Sequence, residues 1–264
     1  MVMVLLLNNL SKNQFRIGMV LTLLAVLLVT GCKGDKDIYK GMSASEIYAQ
    51  AEQNVAKEKY SQAAKDFEAL EARYPYSEYS DKAQLGLINA YYKHNEPALA
   101  MSAADRFIRM NPRHPQVDYA YYLKGLVKFD ENYTFAFRYL PLDKSARDPS
   151  TAQESFDAFK ELIDRFPNSQ YVPDARKRMV FLRNQLAHHE IQVVDYYMKR
   201  GAYLSAANRA NYIVKHFENT DVIPRALAAM VQAYRKLGMQ ELADDALKTL
   251  QRNFPESAEL KSVN

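Results

Sequence analysis

Along most of this chain apolar side chains recur every three or four residues, the period of an amphipathic helix rather than the alternation of a strand. The clearest stretches end alike. "YSQAAKDFEALEARYPYS" (Tyr60 to Ser77), "TAQESFDAFKELIDRFPNS" (Thr151 to Ser169) and "QELADDALKTLQRNFPES" (Gln240 to Ser257) each reach an aromatic residue, then Pro, then Ser two positions later. Aligning Pro75, Pro112, Pro167, Glu218 and Pro255 places Ala63, Ala100, Ser155, Ala206 and Ala243 twelve residues upstream, all of them small. Four positions on from these stand Phe67, Ala104, Phe159, Ala210 and Leu247, and three further Leu70, Phe107, Leu162, Ile213 and Leu250. An i, i+4, i+7 spacing puts all three on one helix face. The small residue admits a neighbouring helix, the larger ones fill the space between, and Pro ends the helix.

Upstream segments supply partner helices: Ile47-Ala51-Asn54, Gln84-Ile88-Tyr91 and Leu227-Val231-Tyr234 keep the same phase. The arrangement resembles the A-x3-F-x7-P half of the tetratricopeptide (TPR) pattern. The expected fold is therefore all-α, a TPR-type helical solenoid of about five repeats. Pro75 to Pro112 and Glu218 to Pro255 are both 37 residues apart, but Pro112 to Pro167 is 55 and Pro167 to Glu218 is 51. The first excess is read as an insertion in "FDENYTFAFRYLPLDKSARDPS", between Phe129 and Ser150. For the second, Pro173 to Lys199 has no internal breaker and keeps Ala175, Met179, Leu182, Leu186, Val193 and Tyr197 in helical phase, which predicts one long helix. That helix would divide the solenoid into an N-terminal half, 44–170, with about three repeats, and a C-terminal half, 171–257, followed by a tail at 258–264.

The first 43 residues follow a different pattern. Lys12 and Arg16 precede an apolar run from Ile17 to Val29, and Thr30-Gly31 leads to Cys32, the only cysteine. The run would rise about 20 Å as a helix, short of the roughly 30 Å hydrocarbon core. It reads as a cleaved signal peptide, residues 1–31. Val29-Thr30-Gly31-Cys32 resembles the lipobox of bacterial lipoproteins, which makes Cys32 the lipidation site, and the absence of a second cysteine agrees with a thiol used for an anchor. Several acyl chains hold a protein on a membrane without crossing it. Lys33 and Gly34 follow the cysteine, where an Asp would favour retention in the inner membrane of Gram-negative bacteria; the resemblance therefore implies the periplasmic face of the outer membrane, with residues 32–43 as a short tether.

Composition agrees with helices: 48% apolar and 25% charged residues suffice for a core, and 8 Gly and 10 Pro are few for 264 residues. The net charge of +4 comes from alternating signs with no basic stripe, which argues against nucleic acid. Catalytic patterns are missing. His188-His189-Glu190 is adjacent rather than spaced to share a metal, and His94, His114 and His216 are isolated. There is no glycine-rich phosphate loop or G-x-S-x-G, and Asp244-Asp245 reads as a solvent-facing pair. No enzyme activity, cofactor or metal is expected.

What remains is surface. The chain has 19 Tyr and no Trp, with clusters at Tyr74-Tyr76-Tyr79, Tyr91-Tyr92 and Tyr119-Tyr121-Tyr122. In a TPR solenoid the first helices line the usual peptide groove. Tyr48, Tyr74, Tyr91 and Tyr92 are the groove candidates, because tyrosine pairs an apolar face with a hydrogen-bonding tip. Packing between repeats is the competing role for each.

"EIYAQAEQ", "EALEARYPYS", "INAYYK", "DRFIRMNPRHPQVDY", "ARDP", "FPNSQY" and "YYMKRGAY" with "NR" following, in this order and spacing, resemble the BamD family of outer-membrane TPR lipoproteins across nearly all of residues 32–257. The resemblance implies a scaffold of the outer-membrane β-barrel assembly (Bam) complex. Such a scaffold binds a POTRA domain of BamA, accessory lipoproteins such as BamC and BamE, and unfolded outer-membrane proteins. It also implies that Arg209, the Arg of "NR", docks BamA, with Arg200 and Tyr203 of "RGAY" beside it. Ser61 and Ser77 stand where the family has residues linked to substrate contact, so no such role passes to either. Two other readings share the bottom-up features: a lipid-anchored periplasmic TPR adaptor for peptidoglycan or secretion machinery, and the solenoid part of a cell-wall enzyme such as a lytic transglycosylase.

Overall fold

The structure is a computed structural model that describes residues 37–131 and 148–263. Most of the expected insertion, at 132–147, lies outside the described residues, as do the signal peptide, Cys32 and the start of the tether. Met1–Met42 and Ser43–Asn264 are separate units. In the first, Asp37 to Met42 form a turn in which Lys40 N–H donates to the Asp37 carbonyl at 3.3 Å.

In the second, the described secondary structure is entirely helical: α1 (Ala44–Ala56), α2 (Tyr60–Arg73), α3 (Ser80–Lys93), α4 (Pro97–Met110), α5 (Val117–Glu131), α6 (Ser150–Arg165), α7 (Val172–Lys199), α8 (Tyr203–His216), α9 (Ile223–Lys236), α10 (Gln240–Asn253) and α11 (Ala258–Val263). Each helix packs on its neighbours in sequence. The result is a TPR-like solenoid of five helix pairs: α1 with α2, α3 with α4, α5 with α6, α7 with α8, and α9 with α10. α11 then packs on α9, burying Leu260 and Val263, while Arg235 donates to the Val263 carbonyl at 2.6 Å.

Local chemistry starts and stops these helices. Ser43 and Glu46 form a capping box at α1: Ser43 Oγ accepts from Glu46 N–H at 3.3 Å and Glu46 Oε2 accepts from Ser43 N–H at 2.7 Å. The turn inside a pair passes through one left-handed residue, Glu58 (φ 56°), Asn95 (φ 62°), Gly201 (φ 72°) or Gly238 (φ 71°). Between pairs, the second helix stops on a residue that has left the helical region ahead of Pro, at Tyr74, Phe166 and Phe254 (φ −131°, −132° and −139°; ψ 56°, 63° and 56°). Phe217 (φ −121°, ψ 41°) stops α8 the same way although Glu218 replaces the Pro. There, Thr220 Oγ1 donates to the Phe217 carbonyl at 2.8 Å and satisfies one of the free helix-end acceptors.

The small residues Ala63, Ala100, Ser155, Ala206 and Ala243 are all fully buried, and so are Leu70, Phe107, Leu162, Ile213 and Leu250. Ser155 donates from Oγ to the Gly125 carbonyl at 3.0 Å, so its hydroxyl sits in the core without an unmet bond. Where the middle position is Phe, the facing helix supplies a glycine. A Cβ on Gly86 would lie 2.4 Å from the Phe67 ring, and one on Gly125 equally close to Phe159.

The long helix is present as α7, but its buried face is not the one expected throughout. Ala175, Leu182 and Leu186 are buried as expected; beyond them the buried residues are Ala187, Ile191 and Val194, while Val193 and Tyr197 are only half-buried. The stripe steps round by about one residue, roughly 100°. The cause is a change of neighbours: the first half of α7 lies against α5 and α6, the second against α8 and α9.

Candidate functional site

Side chains on the first helices of successive pairs are tied together by tyrosine hydroxyls donating to carboxylates. Tyr92 of α3 donates to Asp130 of α5 at 2.5 Å, and Tyr122 of α5 donates to Asp174 of α7 at 2.6 Å. Tyr91 donates to Glu68 on α2. Arg178 joins this network, its Nε 2.6 Å from Asp174 Oδ2 and its guanidinium 4.7 Å over the Phe129 ring. Burial, reinforced by the Asp174 contact, pushes the Tyr122 phenol up to about 12. Burial likewise pushes Tyr119 up to about 12, with the neighbouring Tyr171 ring, tilted against it at 5.3 Å, adding to it. Tyr91 and Tyr92 also move upward, first through burial and then through their acid partners. At Asp174 burial pulls the carboxyl upward, but the bonds from Tyr122 and Arg178 together outweigh it and leave the group below the usual carboxylate range.

The four groove tyrosines therefore have internal partners. Tyr48 packs against Phe67 (6.1 Å between centroids) and Tyr79 (5.1 Å), and burial raises its phenol. Tyr74 is the capping residue of α2, its N–H donating to the Leu70 carbonyl. Tyr91 and Tyr92 diverge from adjacent positions, one to α2 and one to α5, with Tyr92 also lining a cleft of about 230 Å³ beside Asn95, Asp130 and Glu131. All four are half-buried and keep one face at the surface. Sequence reasoning missed Glu68, Asp130 and Asp174 because each acid belongs to a different helix from its tyrosine.

The second cluster belongs to the α7–α8 pair. Arg209 stands beside Ala206 and Ala210 as expected, yet it is not a free outward cation. Its Nη1 lies 2.9 Å from Glu190 Oε2, its guanidinium is 5.8 Å over the Tyr212 ring, and its side chain is 38% exposed. Arg200 caps α7 with its guanidinium 5.8 Å over Tyr196, and Tyr203 opens α8 half-buried against the core. These three residues thus belong to one hairpin. Glu190 appears in the sequence only as the neighbour of two histidines, and the α7–α8 turn is what folds it onto Arg209. His188 reaches away to Asp221, with Nε2 3.0 Å from Oδ1. Among the described residues no group of three or more His, Cys, Asp or Glu could hold a metal ion, and no helix is long and apolar enough to cross a membrane.

Comparison with known proteins adds the following. Residues 40–258 match the family YfiO, described as an outer membrane lipoprotein. A protein of Neisseria meningitidis serogroup B named outer membrane protein assembly factor BamD is 44% identical over 227 residues, covering 86% of this chain and 85% of that protein. The protein of the same name from Vibrio cholerae is 33% identical over 231 residues, covering 88% of this chain and 96% of that one. That of Xylella fastidiosa strain Temecula1 is 38% identical over 246 residues, covering 90% and 84%. Among solved structures, a TPR protein of Thermus thermophilus aligns at a TM-score of 0.36 and 14% identity over 83% of this chain and 96% of that one.

Proposed function

The chain belongs to the YfiO family of outer membrane lipoproteins, and from that premise we propose that it is an assembly factor for outer-membrane proteins, a non-catalytic scaffold of the Bam complex. The observation that carries this is extent. Proteins named as assembly factors match it at 33–44% identity over more than four-fifths of their length, and the family match over residues 40–258 runs from the first helix pair to the last. A generic adaptor or the solenoid of a cell-wall enzyme would share the TPR pattern without that match.

In this reading Cys32 carries acyl chains that hold the protein on the periplasmic face of the outer membrane, and residues 32–43 tether the solenoid. The α7–α8 hairpin receives a POTRA domain of BamA. Arg209 keeps Glu190, whose side chain is only 17% exposed, and offers its remaining N–H donors to a carboxylate of BamA, so docking leaves no buried charge unpaired. Arg200 and Tyr203 flank the contact. Residues 44–170 and 171–257 act as two halves: the tyrosine-lined face of the first receives unfolded outer-membrane chains, and the second binds BamA and lipoproteins of the BamC and BamE kind. The client's own folding supplies the driving force, because closing a barrel pairs strand edges that would otherwise stay open in lipid.

Crosslinking in membranes followed by purification tests this. The expected product is an adduct with a large β-barrel protein, weakened at least tenfold by Arg209→Glu with helical content unchanged. No adduct would reject the assembly role, and an adduct indifferent to Arg209→Glu would reject the docking residue. Intact mass should show acylation at Cys32, and Cys32→Ser should release the chain from the membrane fraction.

A further inference from the structure

Among the described residues, one flank of α7 has no helix where the fold places one beside the other first helices. α7 has 28 residues and α8 has 14, about 42 Å against about 21 Å at 1.5 Å per residue. The tight turn at Gly201 starts α8 beside the end of α7, and the turn that follows α8 comes level with His188, which contacts Asp221. α8 therefore covers only the second half of α7. Along the first half, where a returning helix would lie beside α6, there is an open groove of about 380 Å³ between α6 and α7.

The floor of the groove is apolar, formed by Ile163, Met179 and Val180, and Val180 is 60% exposed. Its rims are basic. Arg176 and Arg183 line one side, the latter with its guanidinium 5.9 Å over Phe156. Lys160 on the other side is paired with Asp164 at 2.5 Å, so the one acid of the lining is already neutralised. An exposed apolar strip with two arginines along one edge fits a segment whose apolar stripe is bordered on that side by carboxylates.

We infer that this groove is a docking site for an acidic amphipathic helix of a partner protein, which takes the place of the missing second helix along Val172 to Arg183. The contact would be helix-in-groove, with apolar residues at i, i+3, i+4 and i+7 on Ile163, Met179 and Val180 and with Glu or Asp on Arg176 and Arg183. This surface is distinct from Arg209 and goes beyond the function proposed above.

The test uses the full mature chain with Cys32→Ser and two fluorescein-labelled 14-residue peptides, each with Leu at i, i+3, i+4 and i+7. One carries Glu at the remaining positions and the other Lys. Anisotropy should show saturable binding of the Glu peptide and at least tenfold weaker binding of the Lys peptide. Val180→Asp and Arg183→Glu should each weaken the Glu peptide tenfold or more, with unchanged circular dichroism, whereas Arg209→Glu should leave it unaltered. Equal affinity for both peptides, or indifference to both groove substitutions, would overturn the proposal. So would a dimer in sedimentation that Val180→Asp converts to monomer, because the occupant would then be a second copy of this chain.

Discussion

The first helix pair and the α7–α8 pair start from the same pattern and solve different problems. In α1–α2 the helices have 13 and 14 residues, so each covers the other from end to end, and Ile47, Ala51, Ala63, Phe67 and Leu70 are sealed between them and α3. In α7–α8 one helix is twice the length of the other. Half of it belongs to the pair, and half stands against the previous one. The buried stripe steps round at Leu186 and Ala187, and a flank is left open. Polar ties differ as well. The first pair buries Asp66 completely and satisfies it with neutral amides, Gln50 at 2.9 Å, Asn54 at 2.6 Å and Gln62 at 3.2 Å. The α7–α8 pair and its successor use ion pairs nearer the solvent, Arg209 with Glu190 and Arg225 with Asp195. Equal lengths give a closed hairpin; unequal lengths give surface.

The largest effect should come from the closed hairpin. Phe67→Ala should cost about 3–5 kcal/mol in urea unfolding, whereas Val180→Ala on the open flank of α7 should stay within about 0.5 kcal/mol. A comparable loss at both sites would mean that the flank is packed after all. Next come the glycines that admit the phenylalanine rings: Gly86→Ala and Gly125→Ala should each cost about 1–3 kcal/mol by overpacking. Adding Phe67→Leu to Gly86→Ala should recover part of the loss, because the smaller side chain yields the space.

Alkaline pH probes the tie between α5 and the first half of α7 without a core mutation. Phenols whose folded pKa lies above their unfolded value contribute stability that is complete below about pH 10. That contribution is lost as pH rises towards about 12, where Tyr119 and Tyr122 ionise in the folded chain. Denaturant midpoints should thus fall between pH 10 and 12. Tyr122→Phe should cost about 1 kcal/mol at neutral pH and flatten the alkaline fall. An unchanged slope would show that the Tyr122–Asp174 tie contributes nothing. The smallest effect belongs to the one pair boundary without proline: Glu218→Pro should stabilise by about 0.4–1 kcal/mol, because Phe217 already has the backbone angles that precede proline elsewhere.

Which of these features could be read from the residues depends on distance along the chain. The stripe of Ala63, Phe67 and Leu70 is legible because all three lie within two turns of one helix. The stop at Pro75 and the capping box at Ser43 are equally local. The Tyr92–Asp130 and Tyr122–Asp174 bonds span 38 and 52 residues, and no periodicity marks which acid a tyrosine will meet. Arg209 illustrates the middle case: its place on the α8 face follows from the repeat register, whereas its pairing with Glu190 requires the reversal at Gly201. Val193 and Tyr197 kept the helical phase of α7 and are still only half-buried, because phase identifies a face and not which neighbour that face meets.

By itself the sequence determined the helices, the five-fold repetition and the small-large-large face that stacks them, since these rest on side-chain periodicity and backbone sterics acting within a few residues. Tertiary structure alone decided which carboxylate each tyrosine and arginine meets, where the buried face of α7 turns, and that the flank beside Val180 stays open. Those outcomes depend on the relative lengths and positions of helices far apart in the chain, where packing rather than local propensity sets the energy.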